Sequence, residues 1–176
     1  MSRKGSMPRY YGKNIAQHAQ RRYLRSRETE TKRLEQKWKF TAEIVGSSVL
    51  LALEKDFGME VATLQGVAAR AGAVAEAFNT RKKVAGWNKA KIWLNDEVKA
   101  YFEGDFMLPV VPSPKTKKEW GEFSIQRSIA DNIIKFYAKA LFDGGEFGPE
   151  KIEAFAKAAE RAYLQLMETK QEEGGD

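Results

Sequence analysis

The chain is expected to fold as an all-α helical bundle built on two helix–Phe-Gly–helix hairpins, with a basic N-terminal helical arm. Three observations predict this. Apolar residues recur at spacings of three and four along most of the 176 residues, the period of a helix face. Two stretches share a pattern: Val49-Leu50-Leu51-Ala52-Leu53-Glu54-Lys55-Asp56-Phe57-Gly58 returns as Ala140-Leu141 followed by Phe147-Gly148. Helix-breaking residues gather in one place, at Pro109, Pro112 and Pro114.

The elements follow in order. Residues 1–8 are polar, with Gly5 and Pro8, and are expected to be disordered. Over 9–27, Tyr11, Ile15, Ala19 and Tyr23 keep helical spacing between Arg21, Arg22, Arg25 and Arg27. So narrow an apolar stripe needs a surface to lie on: the protein's own body, a partner or nucleic acid. Ser26 or Thr29 is placed to cap a long helix over 28–55, whose inner face carries Leu34, Trp38, Thr41, Val45, Ser48 and Ala52. Gly58 stops that helix. The next, over 59–78, is rich in small residues (Ala62, Gly66, Ala68, Ala69, Ala71, Gly72, Ala73, Ala75, Ala77), which predicts close approach by neighbours and burial in the bundle.

Asn79-Thr80-Arg81-Lys82-Lys83 reads as a basic joint, after which Trp87, Ala90, Leu94, Val98 and Tyr101 mark a helix over 88–102. Residues 106–120 form a Pro-rich extended connector. Its Phe106, Leu108, Val110 and Val111 should lean on the bundle, because together they would otherwise make a sticky patch. Ser124 is expected to cap a helix carrying Ile125, Ile129, Ile133, Phe136 and Ala140, and Pro149 opens the last helix. The division is therefore an arm over 1–27, a first helical lobe over 28–105, the connector, a second hairpin over 121–168 and a disordered acidic tail over 169–176. With a loop extension at Gly144-Gly145 and one further shift, Val61, Leu64, Ala68 and Ala71 align with Ile152, Phe155, Ala159 and Ala162. Two copies predict a duplicated hairpin, with Phe57 and Phe147 plugging equivalent corners, rather than a solenoid of three or more repeats.

Composition excludes several functions. No cysteine is present, so disulfides, thiolate chemistry and Cys-ligated zinc are ruled out. His18 is the single histidine and has no acidic neighbour to share a metal with. The acids near the two corners (Glu54, Asp56, Glu60; Asp143, Glu146, Glu150, Glu153) lack the Glu-x-x-His pairs of a di-iron bundle. Asp56-Phe57-Gly58 spells the kinase metal-binding triplet without the glycine-rich loop, strand lysine or catalytic loop that kinase chemistry needs. No cofactor and no catalytic residue is expected. No apolar run approaches the roughly 20 residues of a membrane span, and no apolar segment follows the charged N-terminus as a secretory signal requires. A cytoplasmic protein is the expectation.

Charge is the informative property. Residues 1–40 hold 12 of the 30 Lys and Arg but 3 of the 24 acids, a net of +9, which leaves the other 136 residues at −3. Within this basic arm Arg9, Lys13, Arg21, Arg22, Arg25 and Arg27 alternate with Tyr10, Tyr11 and Tyr23. Arginine forks match phosphate oxygens and tyrosine rings stack on bases, so these nine residues are the candidate nucleic-acid contacts.

The stretch from Val49 to Gly58 also resembles the "ALHDEFGFG"-type segment of small helical proteins from prophages and mobile elements of Gram-positive bacteria. Here Met59 stands in place of the second aromatic, and no Arg-Leu or Lys-Leu pair follows. The resemblance implies a helical fold, a mobile-element origin and a bacterial host cytoplasm; it assigns no activity and no site residue. The expected function is thus a non-enzymatic binding protein that engages nucleic acid or a ribonucleoprotein through its arm. The alternatives are an anti-CRISPR-type inhibitor acting by contact with a host nuclease complex, or a helical scaffolding or oligomerisation module. A net charge of +6 argues against a DNA mimic, which would be acidic.

Overall fold

A computed structural model describes residues 10–109 and 113–173, with side chains over 20–109 and 113–169. The protein is all-α. Its helices are α1 (Tyr10–Lys55), α2 (Val61–Ala85), α3 (Trp87–Val98), α4 (Lys117–Asp143) and α5 (Pro149–Glu173). The chain divides into two units, Met1–Lys37 and Trp38–Asp176.

In the second unit the last turns of α1 present Thr41, Val45, Ser48 and Ala52 inward, all buried as their spacing predicts. The two hydroxyls there are satisfied: Ser48 donates to the Ile44 carbonyl at 2.7 Å, and Thr41 accepts from Gln126 Nε2 of α4 at 2.8 Å. Ala90, Leu94, Val98 and Tyr101 are likewise buried. The unit is organised around α4, which packs on α2, α3 and α5. A helix covered by several neighbours buries a wide face. Phe123, Ala130, Ile134, Ala138, Ala140 and Leu141 are the buried apolar positions; of the expected stripe Ala140 is buried, whereas Ile125 is exposed and Ile129, Ile133 and Phe136 are half-buried. The inward stripe is therefore rotated from the expected one.

Several boundaries differ from expectation, each for a local reason. No break separates an arm helix from a 28–55 helix, because α1 runs through both. Ser26 and Thr29 do not cap; their hydroxyls donate back to the carbonyls of Tyr23 (2.8 Å) and Arg25 (2.9 Å), which an uninterrupted helix allows. The basic joint is helical, being the last turns of α2. Ser124 lies inside α4, whose cap is Thr116: its hydroxyl accepts from the Glu119 amide while the Glu119 carboxylate accepts from Thr116 N–H, a reciprocal capping box. This moves the helix start eight residues back and shortens the connector. The connector does not divide two lobes, since α4 packs directly against α2 and α3. Phe106 and Leu108 are buried as expected, and Val110 and Val111 lie outside the described residues. The tail expected from 169 is helical as far as Glu173. Burial of the α2 small residues holds for Ala71 but fails for Ala62, Ala69, Gly72, Ala73 and Ala77, which are exposed.

The two Phe-Gly corners share one backbone hydrogen-bond span. Met59 N–H donates to the Leu53 carbonyl at 3.0 Å, and Phe147 N–H donates to the Leu141 carbonyl at 3.2 Å, the same span of six residues. The positive φ falls at Gly58 (62°) in the first corner but at Gly145 (76°), not Gly148, in the second. The two phenylalanine rings meet, with centroids 4.8 Å apart. Packing beyond the corners is not equivalent: Val61 is 65% exposed where Ile152 is fully buried. The corners share a hydrogen-bond span but not the position of the positive-φ glycine, and the helices that leave them do not play matching roles.

Candidate nucleic-acid interface

The arm belongs to the first unit. Its residues 20–33 are all exposed, Tyr23 at 60% and Leu24 at 56%. At about 100° per residue, Arg21, Arg22 and Arg25 fall within a sector of about 100°, while Arg27 lies on the far side beside Tyr23. The Arg27 guanidinium sits 5.8 Å from the centroid of the Tyr23 ring. Among the described residues no carboxylate pairs with Arg21, Arg22, Arg25 or Arg27, and the first acid beyond them, Glu28, is taken by Lys32 at 3.3 Å. The arrangement offers three unneutralised guanidinium groups on one face and a cation stacked on an aromatic ring on the other. Tyr10, Tyr11 and Lys13 lie in α1 with side chains outside the described residues, and Arg9 lies outside them altogether. Of the nine expected contacts, the described side chains thus include four arginines and one tyrosine, with Arg21, Arg22 and Arg25 on one face and Tyr23 and Arg27 on the other.

A second polar cluster had no counterpart in the sequence reading. Lys135 of α4 is 1% exposed, and its three ammonium protons are fully used. They go to Asn95 Oδ1 (2.9 Å) in α3, Asp105 Oδ1 (3.0 Å) just before the connector and Asp131 Oδ2 (2.9 Å) one turn earlier in α4. Asp131 Oδ1 accepts the Phe106 N–H at 2.8 Å, and Lys91 stands 3.8 Å from Asp131 Oδ2. The hydrogen bond from Lys135 holds the Asp105 carboxyl below its ordinary value against the opposing effect of partial burial, and the charges of Lys135 and Lys91 lower it further. A cleft of about 250 Å³ opens beside it, lined by Asn95, Phe102, Glu103 and Asp105 among others. A lysine with every proton engaged is a poor base or nucleophile; the cluster fastens the connector to α3 and α4. The available sequence signal was Asp131 and Lys135 at i, i+4 on either side of Ile133 and Ile134.

Nearby, Lys139 bridges Glu97 and Asp143, both at 2.9 Å. Tyr101 stacks on Phe142 with centroids 4.0 Å apart, and its phenol is pushed up to about 12, chiefly by burial. Asp56 of the kinase-like triplet pairs with Arg161 at 3.3 Å, a helix-corner role. Among the described residues no three His, Asp or Glu side chains converge to hold a metal, and no helix is long and apolar enough to cross a membrane. The chain matches no protein-family model, no curated protein and no solved structure.

Proposed function

We propose that this protein binds nucleic acid, free or within a ribonucleoprotein, through the basic segment of α1, and that it does so without catalysis. One observation carries the reading: Arg21, Arg22, Arg25 and Arg27 are exposed on one continuous helix, with no carboxylate partner among the described residues. Unpaired arginines repel one another and stabilise nothing by themselves; beside phosphates they release condensed counterions, and binding gains from that release. Tyr23, between them and largely exposed, is positioned to stack on an unpaired base.

Salt-titrated fluorescence anisotropy of the full chain with duplex DNA, single-stranded DNA and a structured RNA tests this. Replacing all four arginines by alanine should flatten the log–log salt slope on duplex by about 3.6, at about 0.9 per phosphate, and weaken binding across sequences almost uniformly. Circular dichroism should change little, since all four side chains are exposed. Parent-like binding by this variant would sink the reading. In that event the exposed pair Tyr23 and Leu24 favours a protein partner for the same segment, as a contact inhibitor of a host nuclease complex would require.

A further inference from the structure

The turn from α2 into α3 carries a second concentration of charge, in the second unit. Residues 77–95 contain five cations (Arg81, Lys82, Lys83, Lys89, Lys91) and no acid. Of these, Lys91 alone reaches a carboxylate, Asp131 at 3.8 Å. Among the described residues the other four have none, and all four are exposed. Two of them rest on indoles instead: the Arg81 guanidinium lies 4.5 Å from the centroid of Trp93, and the Lys82 ammonium 5.0 Å from that of Trp87. By contrast Arg70, Lys99, Lys135, Lys139, Lys157 and Arg161 each pair with a carboxylate.

Helix electrostatics accounts for only part of this. Lys82 and Lys83 occupy the last turn of α2, where the macrodipole welcomes cations. Lys89 stands in the first turn of α3, where the dipole is positive and no acid compensates. Gly86 joins the helices at φ 88° and ψ 165°, a conformation open essentially to glycine, and it lets the two cationic ends follow one another within a few residues. Four exposed cations gathered at one corner without an acid, two of them held against indoles, match an extended polyanion.

We propose that the α2–α3 corner is a second contact surface for the phosphodiester backbone of nucleic acid, made by Arg81, Lys82, Lys83 and Lys89. This rests on the nucleic-acid reading of the arm and extends it to a separate unit. The indoles pre-position two of the cations, so less side-chain entropy is lost on docking.

The test uses the full chain in three forms beside the parent: the arm quartet changed to Ala, the corner quartet (Arg81→Ala, Lys82→Ala, Lys83→Ala, Lys89→Ala), and both. Binding to labelled duplex DNA, single-stranded DNA and an RNA hairpin is followed from 50 to 200 mM salt. The corner variant should flatten the duplex slope by up to about 3.6, and over this range its affinity should vary roughly 100-fold less than the parent's. The double form should lose the sum. The pair Lys83→Glu with Lys89→Glu leaves both cation–indole contacts intact and should weaken binding in the same direction, so it decides the matter if the quartet unfolds. Parent-like affinity and slope in the corner variants, with loss in the arm variant, overturns the corner and leaves the arm standing. The reverse pattern overturns the arm and keeps the corner. No binding by the parent to any probe at low salt overturns both.

Discussion

Lys135 places an ammonium where water scarcely reaches, and its environment repays the desolvation with three acceptors at 2.9–3.0 Å. Lys135→Met keeps the length and loses the charge, leaving the buried Asp131 carboxylate without its main partner. Urea unfolding should show a loss of about 3–5 kcal/mol, and adding Asp131→Asn should recover part of it, because breaking a buried pair costs more than removing both members. Asp105 gives the pH counterpart. Its carboxyl titrates below its ordinary value in the folded protein, so the folded state binds that proton less readily than the unfolded chain does. The resulting stability is present above the ordinary carboxylate range and is lost as pH falls through the depressed value. Asp105→Asn should lower the melting temperature at neutral pH, and its melting curve should converge on the parent's at about pH 2. A constant offset across that range would contradict the assignment. The effect is small, since the Asp105 side chain is 59% exposed.

At the scale of elements, the meeting of the two Phe-Gly corners distributes stability unevenly. Phe147 is buried and touches both Phe57 and Phe155, whereas Phe57 is only half-buried. Phe147→Ala should cost about 3–5 kcal/mol by denaturant unfolding, and Phe57→Ala distinctly less. Equal losses would mean that the corners carry equal weight, as a duplicated pair would. The periodicities of α1 and α3 were legible because each buries one narrow stripe, so Thr41 to Ala52 and Ala90 to Tyr101 could be read by spacing alone. The α4 stripe was misread for a physical reason: neighbours on several sides bury polar as well as apolar positions, and the pattern of isoleucines no longer marks the inward face. The start of α4 was written in Thr116 and Glu119, a capping signature overlooked behind the prolines.

Across the whole molecule, charge is legible in a sequence while its pairing is not. The excess of arginine over 21–27 could be counted, but whether acids would neutralise it depended on where the carboxylates lie in the fold. Of the five cations of 81–91, Arg81, Lys82 and Lys83 were visible as a basic joint, while Lys89 and Lys91 fell outside it. Their contrast with the paired lysines elsewhere required the partners' positions, which come from α3, α4 and α5. The Lys135 cluster has the same long-range character and a consequence for how the molecule opens. By composition the stretch after Gly104, which ends in prolines, is where a protease would be expected to enter. Yet lifting it away strips Asp105 from a buried ammonium and the Phe106 amide from Asp131, and it uncovers the buried Phe106 and Leu108. Local detachment therefore carries much of the cost of unfolding, so native-state cleavage there should follow the global opening of the α3–α4 packing rather than the looseness of a linker.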